Sequence, residues 1–232
     1  MSLNEPVTGL RLIQTGVQPL DEALGGLPAG GLVGIFGRAG TGKTSLCIQM
    51  AHHMASRGVR VLFFSIPGSN RSLHAQAASL GFDFRSLEES GVLKIVSFPD
   101  PATAEEARRT MIDLFAEADS FPHEVSIVDD PSILAAKVGT SFLIETVSVE
   151  LTKRFRETGR LFVVSVDPTL LSLSRGALNY TVSRLDVVVE LRAKVKDLGV
   201  ERILRVLKAR GLSVRRHAVR FGIEPGRGLF SI

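Results

Sequence analysis

The sequence predicts an α/β fold with a mostly parallel central sheet, flanking helices and antiparallel edge strands at the C-terminal end. Short apolar runs such as Gly31–Phe36 and Leu161–Val166 alternate with helical patterns, which is how parallel sheets are built. By contrast, Arg202–Lys208 and Arg216–Ile223 largely alternate polar and apolar residues, as antiparallel edge strands do. The 232 residues contain no internal repeat, so we expect one domain spanning residues 1–232.

The composition predicts a soluble cytoplasmic protein. Hydrophobic residues make up 44% of the chain, which is enough for a substantial core. Cys47 is the only cysteine, so no disulfide can form within the chain, and we expect it to be a small buried hydrophobe. No stretch approaches the roughly 18 consecutive apolar residues of a membrane span. The N-terminus lacks the basic start and apolar core of a signal peptide.

The net charge of +4 is unevenly distributed. Residues 192–232 hold 11 Lys and Arg against 3 Asp and Glu, whereas residues 1–191 hold 17 against 21. A basic segment of this kind could contact nucleic acid, or the acidic face or nucleotide of a neighbouring subunit. Edge strands also carry Lys and Arg to discourage aggregation, so charge alone leaves both interpretations open.

A phosphate-binding loop lies between the strand Gly31–Phe36 and a helix. Its glycines let backbone N–H groups converge on phosphate oxygens, and the new helix directs its positive end at the anion. We expect Lys43 to bridge the β- and γ-phosphates and the Thr44 hydroxyl to bind Mg²⁺. The predicted nucleotide contacts are Gly37, Arg38, Ala39, Gly40, Thr41, Gly42, Lys43, Thr44 and Ser45.

The segment before the loop carries a family resemblance. Residues 15–30 predict a short helix with Leu20 and Leu24 one turn apart, ended by Gly25 and Gly26. Residues 15–26 match Thr-Gly-x-x-x-Leu-Asp-x-x-Leu-Gly-Gly, which opens the KaiC-like branch of the RecA superfamily of P-loop ATPases. The chain resembles an archaeal-type, single-domain KaiC-like protein. That resemblance implies a RecA-like core with ATP and Mg²⁺ as cofactors.

The following segments continue the alternation of strands and helices. The helix that opens at Thr103 begins with a capping box, Thr-x-x-Glu. A second helix, over residues 141–158, is expected to face inward with Ile144, Val147, Leu151 and Phe155. The other predicted elements are a strand at Arg60–Ser65, a helix at Ser69–Leu80, a strand at Val92–Val96, a polar connection at Asp167–Arg184 and a strand at Leu185–Leu191.

The strand Val125–Asp129 has the Walker B pattern, an apolar run ending in a carboxylate. Because parallel strands bring their C-terminal ends to one edge, Asp129 is expected beside the phosphate loop, as an Mg²⁺ ligand with Thr44. Lys43 and Asp129 are therefore the candidate catalytic residues. Asp130 is interpreted as a helix N-cap or as an acidic residue of the loop. The alternative is that it contacts a metal ligand without binding the metal itself.

Two basic residues near the C-terminus are candidates for a contact between subunits. Lys208-Ala209-Arg210-Gly211 matches the Lys-x-Arg-Gly segment of KaiC-like proteins. The resemblance implies that Lys208 and Arg210 reach the nucleotide of the next subunit in a homohexameric ring, with a dimer as the next option. A cation supplied in this way stabilises phosphate charge. The alternative is a solvated edge hairpin.

The chain departs from the family pattern after its second buried strand. KaiC-like proteins usually place one or two glutamates there, and one of them orients the attacking water. The matching positions are Pro67 and Gly68, whose side chains accept no proton. A residue that orients or deprotonates the attacking water raises the rate by about 10²- to 10⁴-fold, so we expect slow or impaired ATP hydrolysis here.

These observations favour a nucleotide-dependent regulatory or assembly protein whose protein partner is unknown. The alternative is a RecA/RadA-paralogue-like DNA-binding ATPase. It would need basic or aromatic residues on the loops at residues 131–139 and 168–184. The basic and aromatic residues on those loops are Lys137, Arg175, Tyr180 and Arg184. They are few for binding the phosphates and bases of a nucleic acid. A small-molecule kinase is disfavoured because no second substrate-binding lid is evident.

Overall fold

The computed structural model describes residues 11–139, 142, 146, 150, 154–155, 157–170, 175–196 and 199–232, with the backbone only at 175–178. Its helices are α1 Gln18–Leu24, α2 Lys43–Ala55, α3 Asn70–Ser79, α4 Phe84–Glu89, α5 Ala104–Ser120, α6 Ser132–Val138 and α7 Arg175–Arg184. Its strands are β1 Leu12–Ile13, β2 Leu27–Pro28, β3 Leu32–Phe36, β4 Val61–Ser65, β5 Leu93–Ser97, β6 Val125–Asp129, β7 Leu161–Val166, β8 Val187–Lys196, β9 Gly199–Ala209, β10 Ala218–Glu224 and β11 Gly228–Ser231.

Nine of the described strands form one sheet in the order β11-β10-β9-β8-β3-β7-β6-β4-β5. The strands from β8 to β5 in this order pair in parallel. β8 to β11 pair antiparallel, with the β8–β9 ladder running from Val187 opposite Ala209 to Lys196 opposite Gly199. The predicted α/β fold, parallel first and antiparallel last, is confirmed. The C-terminal ends of four neighbouring parallel strands therefore lie side by side at one edge of the sheet, in the order β3, β7, β6 and β4.

Apolar clusters cover both faces of the sheet, which explains why the parallel strands are continuous apolar runs. Every residue of β3, β4 and β6 is buried. Phe63 belongs to the cluster that includes α2, and its neighbour Phe64 belongs to the opposite cluster, because successive strand residues point to opposite faces. Cys47 is buried in the first cluster, as expected, and burial raises the pKa of its thiol.

Helix α2 is tied to both ends of the chain through Gln49. The side-chain amide donates to the carbonyl oxygens of Gly16 at 2.8 Å and Leu229 at 3.2 Å. Its oxygen accepts from the Leu229 backbone N–H at 2.6 Å. A Cβ at Gly228 would lie 2.3 Å from this oxygen, so only glycine fits there. The helix that follows the phosphate loop is thus held against β11 by specific hydrogen bonds.

Two of the predicted connections contain helices. Residues 167–184 were expected to be a polar connection, but α7 occupies Arg175–Arg184, and α6 occupies most of the expected loop at 131–139. The short helix α4 and the strand β11 were not expected at all. Most of the predicted helix over residues 141–158, including Ile144, Val147 and Leu151, lies outside the described residues. Phe155 is described and buried, as expected.

Candidate nucleotide-binding site

The loop between β3 and α2 requires glycine at three positions. A Cβ at Gly37 would lie 2.5 Å from the Thr41 hydroxyl oxygen and 2.9 Å from the Leu191 carbonyl oxygen. Gly40 and Gly42 have φ angles of 78° and 104°, in the left-handed region that other residues avoid. The Gly37 N–H donates to the Val166 carbonyl at 3.0 Å, which fixes the start of the loop to the end of β7. The backbone therefore curves as a phosphate loop must.

Lys43 lies in the mouth of this loop and is only 8% exposed. Its Nζ donates to the carbonyl oxygen of Gly37 at 2.8 Å and lies 3.4 Å from that of Arg38. Lys43 is also the first residue of α2, whose first turn contains no acidic side chain. The positive end of the helix and the ammonium group thus act at the same place, and together they favour an anion such as phosphate.

Asp129 at the end of β6 meets Thr44 at the start of α2. The Ser165 hydroxyl donates to Asp129 Oδ1 at 2.5 Å, and the Thr44 hydroxyl lies close enough to the carboxylate to influence its pKa. Burial raises the pKa of Asp129, while the hydroxyls of Ser165 and Thr44 and nearby Lys43 oppose the rise. The structure therefore brings together the two predicted metal ligands. A hydroxyl and a carboxylate oxygen beside a phosphate loop fit an Mg²⁺ ion that is also bound by phosphates.

Asp130 faces the loop rather than capping a helix. Its Oδ2 lies 3.4 Å from Lys43 Nζ, in a partly buried ion pair. Its Oδ1 accepts from the backbone N–H of Ser132 at 3.0 Å and from the Ser132 hydroxyl at 2.5 Å. The N-cap position of α6 belongs to Pro131, so of the two expected roles the N-cap is wrong and Asp130 is an acid of the connecting loop that accepts from the first N–H of α6. The carboxylate instead connects the start of α6 to Lys43.

Asp167, directly after β7, is a site residue that the sequence reasoning missed. It is 5% exposed, and its Oδ1 accepts from the Thr169 N–H at 2.9 Å and hydroxyl at 2.6 Å. Burial alone would raise the pKa of Asp167, but the Thr169 hydrogen bonds, the Lys43 charge and the Ala39 N–H lower it below its ordinary value. The signal was available, because β7, like β6, is an apolar run followed by Asp at the same edge of the sheet.

An open cleft of about 600 Å³ lies over the loop. Six of its lining residues belong to the predicted loop, and the other walls come from the ends of β4, β6, β7, β9 and β10. The lining residues are Ala39, Gly40, Gly42, Lys43, Thr44, Ser45, Pro67, Asp130, Ile133, Asp167, Leu170, Arg202 and Ile223. Arg202 and Ile223 were not predicted. They bring a guanidinium and an apolar side chain to the wall formed by β9 and β10.

The end of β4 brings no carboxylate to the cleft. Pro67 is exposed and lines it, whereas Gly68 donates its N–H to the Phe98 carbonyl at 2.8 Å. A Cβ at Gly68 would lie 2.2 Å from the Ser65 hydroxyl oxygen. An acidic side chain introduced at Pro67 could therefore reach the cleft. At Gly68 any side chain would clash with Ser65.

Lys208 and Arg210 do not line the cleft of their own chain. Lys208 Nζ donates to the carbonyl oxygens of Val182 at 3.0 Å and Ser183 at 2.9 Å, at the C-terminal end of α7. Arg210 lies 3.6 Å from Asp186 and is half exposed. A contact between either residue and a nucleotide would therefore have to be made with the cleft of another subunit.

Within the described part of the chain, no helix has the length and apolar character needed to cross a membrane.

Comparison with known proteins assigns the fold. Over 96% of this chain and 99% of the other, the structure superimposes on a KaiC-like protein of Pyrococcus horikoshii with a TM-score of 0.78 and 21% identity. The flagellar accessory protein FlaH of Methanocaldococcus jannaschii gives a TM-score of 0.77, with the same coverage and identity. The chain thus has the fold of these two structures.

Sequence comparison agrees with the structural one. The chain is 29% identical to the circadian clock oscillator protein KaiC of Acaryochloris marina, over 86% of this chain and 38% of the relative. It is 28% identical to the circadian clock protein KaiC3 of a Synechocystis strain, over 91% and 42%. The chain thus spans about two fifths of the length of these curated relatives. The KaiC ATPase family model matches residues 13–230, and the chain belongs to this family of RecA-like, nucleotide-binding proteins.

Proposed function

We propose that this chain, as one domain over residues 1–232, binds ATP with Mg²⁺ and acts as a nucleotide-dependent regulatory or assembly protein with slow hydrolysis. The central observation is the arrangement at the loop. Lys43 and the start of α2 offer positive charge to phosphates, and Thr44 and Asp129 offer oxygen ligands to the metal. The end of β4 supplies Pro67 to the same cleft where a glutamate would be needed to orient water.

The walls of the cleft suggest how the rest of the nucleotide is held. Arg202 on β9 is partly buried, and its Nε makes no hydrogen bond within the described residues. Ile223 on β10 contributes an apolar surface and lies close to Gly42. A flat aromatic base can stack on a guanidinium and an aliphatic side chain together, so we place the base between these two strands and the loop.

The Asp129→Asn variant tests the metal site. We expect Mg²⁺ to strengthen ATP binding by the wild type and to lose most of that effect in the variant, by about tenfold or more, because the amide is a weaker ligand than a carboxylate. Titration calorimetry with ATP, in excess Mg²⁺ and in excess chelator, measures this difference. Asp113→Asn, at an exposed position on α5, removes the same charge and is the matched control. An equal gain from Mg²⁺ in both variants would contradict the assignment of Asp129.

The regulatory role is preferred to DNA binding for two reasons. The curated relatives described above are circadian clock proteins rather than recombinases. The basic and aromatic side chains that the structure describes on the two expected DNA-facing segments are also engaged internally. Arg184 is hydrogen-bonded to the Tyr180 hydroxyl at 2.9 Å and stacks over its ring, and Lys137 Nζ lies 3.4 Å from the Ala102 carbonyl. The cations described on these segments are therefore already engaged and would have to leave these contacts to bind a phosphate backbone.

We further propose that nucleotide binding is coupled to homo-oligomer formation, with a hexameric ring as the expected form. Lys208 and Arg210 would supply the cations at the cleft of a neighbouring subunit. Arg210→Ala should therefore reduce the oligomer fraction in the presence of Mg-ATP, as measured by analytical ultracentrifugation. Arg227→Ala, which removes an equally exposed arginine from the β10–β11 turn, is the control. A wild type that stays monomeric with and without Mg-ATP would contradict the coupling.

A further inference from the structure

Two carboxylates reach the part of the loop where the terminal phosphate of a bound nucleotide would lie. Asp130 Oδ2 is 3.4 Å from Lys43 Nζ, the group expected to bridge the β- and γ-phosphates. The Asp167 carboxylate lies close enough to the Ala39 N–H of the loop for that group to lower its pKa. Both Asp130 and Asp167 line the cleft. Each carboxylate therefore lies beside a donor that a third phosphate could otherwise use.

Ser132 holds these two acids in place. Its hydroxyl donates to Asp130 Oδ1 at 2.5 Å and accepts from the Asp167 backbone N–H at 2.9 Å. Thr169 fixes the Asp167 side chain from the other side, through its N–H and its hydroxyl. Moving the Asp167 carboxylate away from the loop would break the two hydrogen bonds from Thr169, and hydrogen bonds to a charged group are the stronger kind. The anions are thus built into the fold.

Carboxylates outnumber cations immediately around Lys43. The cleft-lining residues that the structure describes carry two cations and two carboxylates, but only Lys43 is a cation at the loop, since Arg202 lies on the β9 wall. Asp130 and Asp167 oppose Lys43, and Asp129 stands next to them in contact with Thr44, where Mg²⁺ would offset its charge. A γ-phosphate adds further negative charge within a few ångströms of Asp130 and Asp167, where screening is incomplete.

We propose that Asp130 and Asp167 make this cleft discriminate against a third phosphate, so that a Mg-nucleoside diphosphate binds more tightly than the triphosphate. Asp167 is the main specificity-determining residue, because it is the more deeply buried of the two. This inference rests on the proposed nucleotide binding and deepens it. Tight triphosphate binding would then require an additional cation, and a neighbouring subunit is a natural source.

The test compares dissociation constants for Mg-ADP and for the Mg complex of the non-hydrolysable β,γ-imido analogue of ATP, by titration calorimetry. The wild type should bind the diphosphate about tenfold more tightly. Asp167→Asn keeps the shape and an acceptor for Thr169, and should bring the ratio of the two constants close to one. Asp130→Asn should shift it in the same direction and serves as the second variant if the first does not fold. Asp113→Asn should leave the ratio at the wild-type value.

An unchanged ratio in the folded Asp167→Asn and Asp130→Asn variants, within twofold, overturns the inference. So does a wild type that binds the triphosphate analogue at least as tightly as Mg-ADP. Either result leaves the proposed function standing, because nucleotide is still bound. Failure of the wild type to bind either nucleotide at millimolar concentration would instead refute the proposed function, and the inference with it.

Discussion

Replacing Lys43 by alanine is expected to weaken Mg-ATP binding by about 100-fold or more. The ammonium group would make charge-assisted hydrogen bonds to two phosphates, each worth about 1.5–3 kcal/mol. A tenfold change in affinity corresponds to about 1.4 kcal/mol. The substitution also leaves Asp130 without the cation that lies 3.4 Å from it, so an unpaired carboxylate would face the phosphates. Titration calorimetry with Mg-ATP measures the loss.

The matched control for this variant is Lys137→Ala. Lys137 lies on α6, outside the cleft, and its Nζ is 3.4 Å from the Ala102 carbonyl. Its removal changes the net charge equally and should leave the dissociation constant within about twofold, since exposed charges contribute little. Thermal unfolding of both variants checks that the loop has not collapsed, because Lys43 also bonds to the Gly37 carbonyl. Retention of wild-type affinity in Lys43→Ala would mean that nucleotide binds elsewhere.

Introducing a glutamate at Pro67 is expected to raise ATP turnover by about 100-fold, the lower end of what a residue that positions or deprotonates water contributes. Pro67 lines the cleft at the end of β4, next to the end of β6 that carries Asp129, so a carboxylate there could approach the γ-phosphate. Release of phosphate under saturating Mg-ATP, with the Lys43→Ala background as the blank, measures the gain.

Glutamate at the next position provides the contrast. A Cβ at Gly68 would lie 2.2 Å from the Ser65 hydroxyl oxygen, so Gly68→Glu has to displace the Ser65 side chain at the end of β4. We expect this variant to unfold at lower temperature and to gain no turnover. Equal turnover in the wild type and a correctly folded Pro67→Glu variant would show that the missing glutamate is not what limits hydrolysis.

Local sequence patterns were sufficient to predict the parallel part of the sheet and the loop. The buried parallel strands are continuous apolar runs because both faces of the sheet are covered, and β3, β4 and β6 were found where those runs lie. Gly37 and Gly42 were placed correctly because the chemistry of the loop demands a backbone without side chains. The contact between Thr44 and Asp129 followed from strand order, since both lie at the C-terminal edge of one parallel sheet.

The parts that were missed depend on contacts between distant segments. Helix α7 has a polar sequence with a weak helical pattern, and Lys208, more than twenty residues away along the chain, bonds to its last carbonyl groups. Asp130 looked like a helix cap because its pairing with Lys43 joins residues far apart in the chain. Arg202 reaches the cleft only because of the β9 register, which no local pattern specifies.

The most direct test of the account is to measure binding and hydrolysis of Mg-ATP in the same wild-type sample. We predict saturable binding together with turnover below about 10⁻³ s⁻¹, the range of a phosphate-loop enzyme that lacks its full catalytic set. Binding accompanied by turnover of about 1 s⁻¹ or faster, abolished by Lys43→Ala, would contradict the account. Another group would then position the water, and the chain would be a working ATPase rather than a nucleotide-dependent switch.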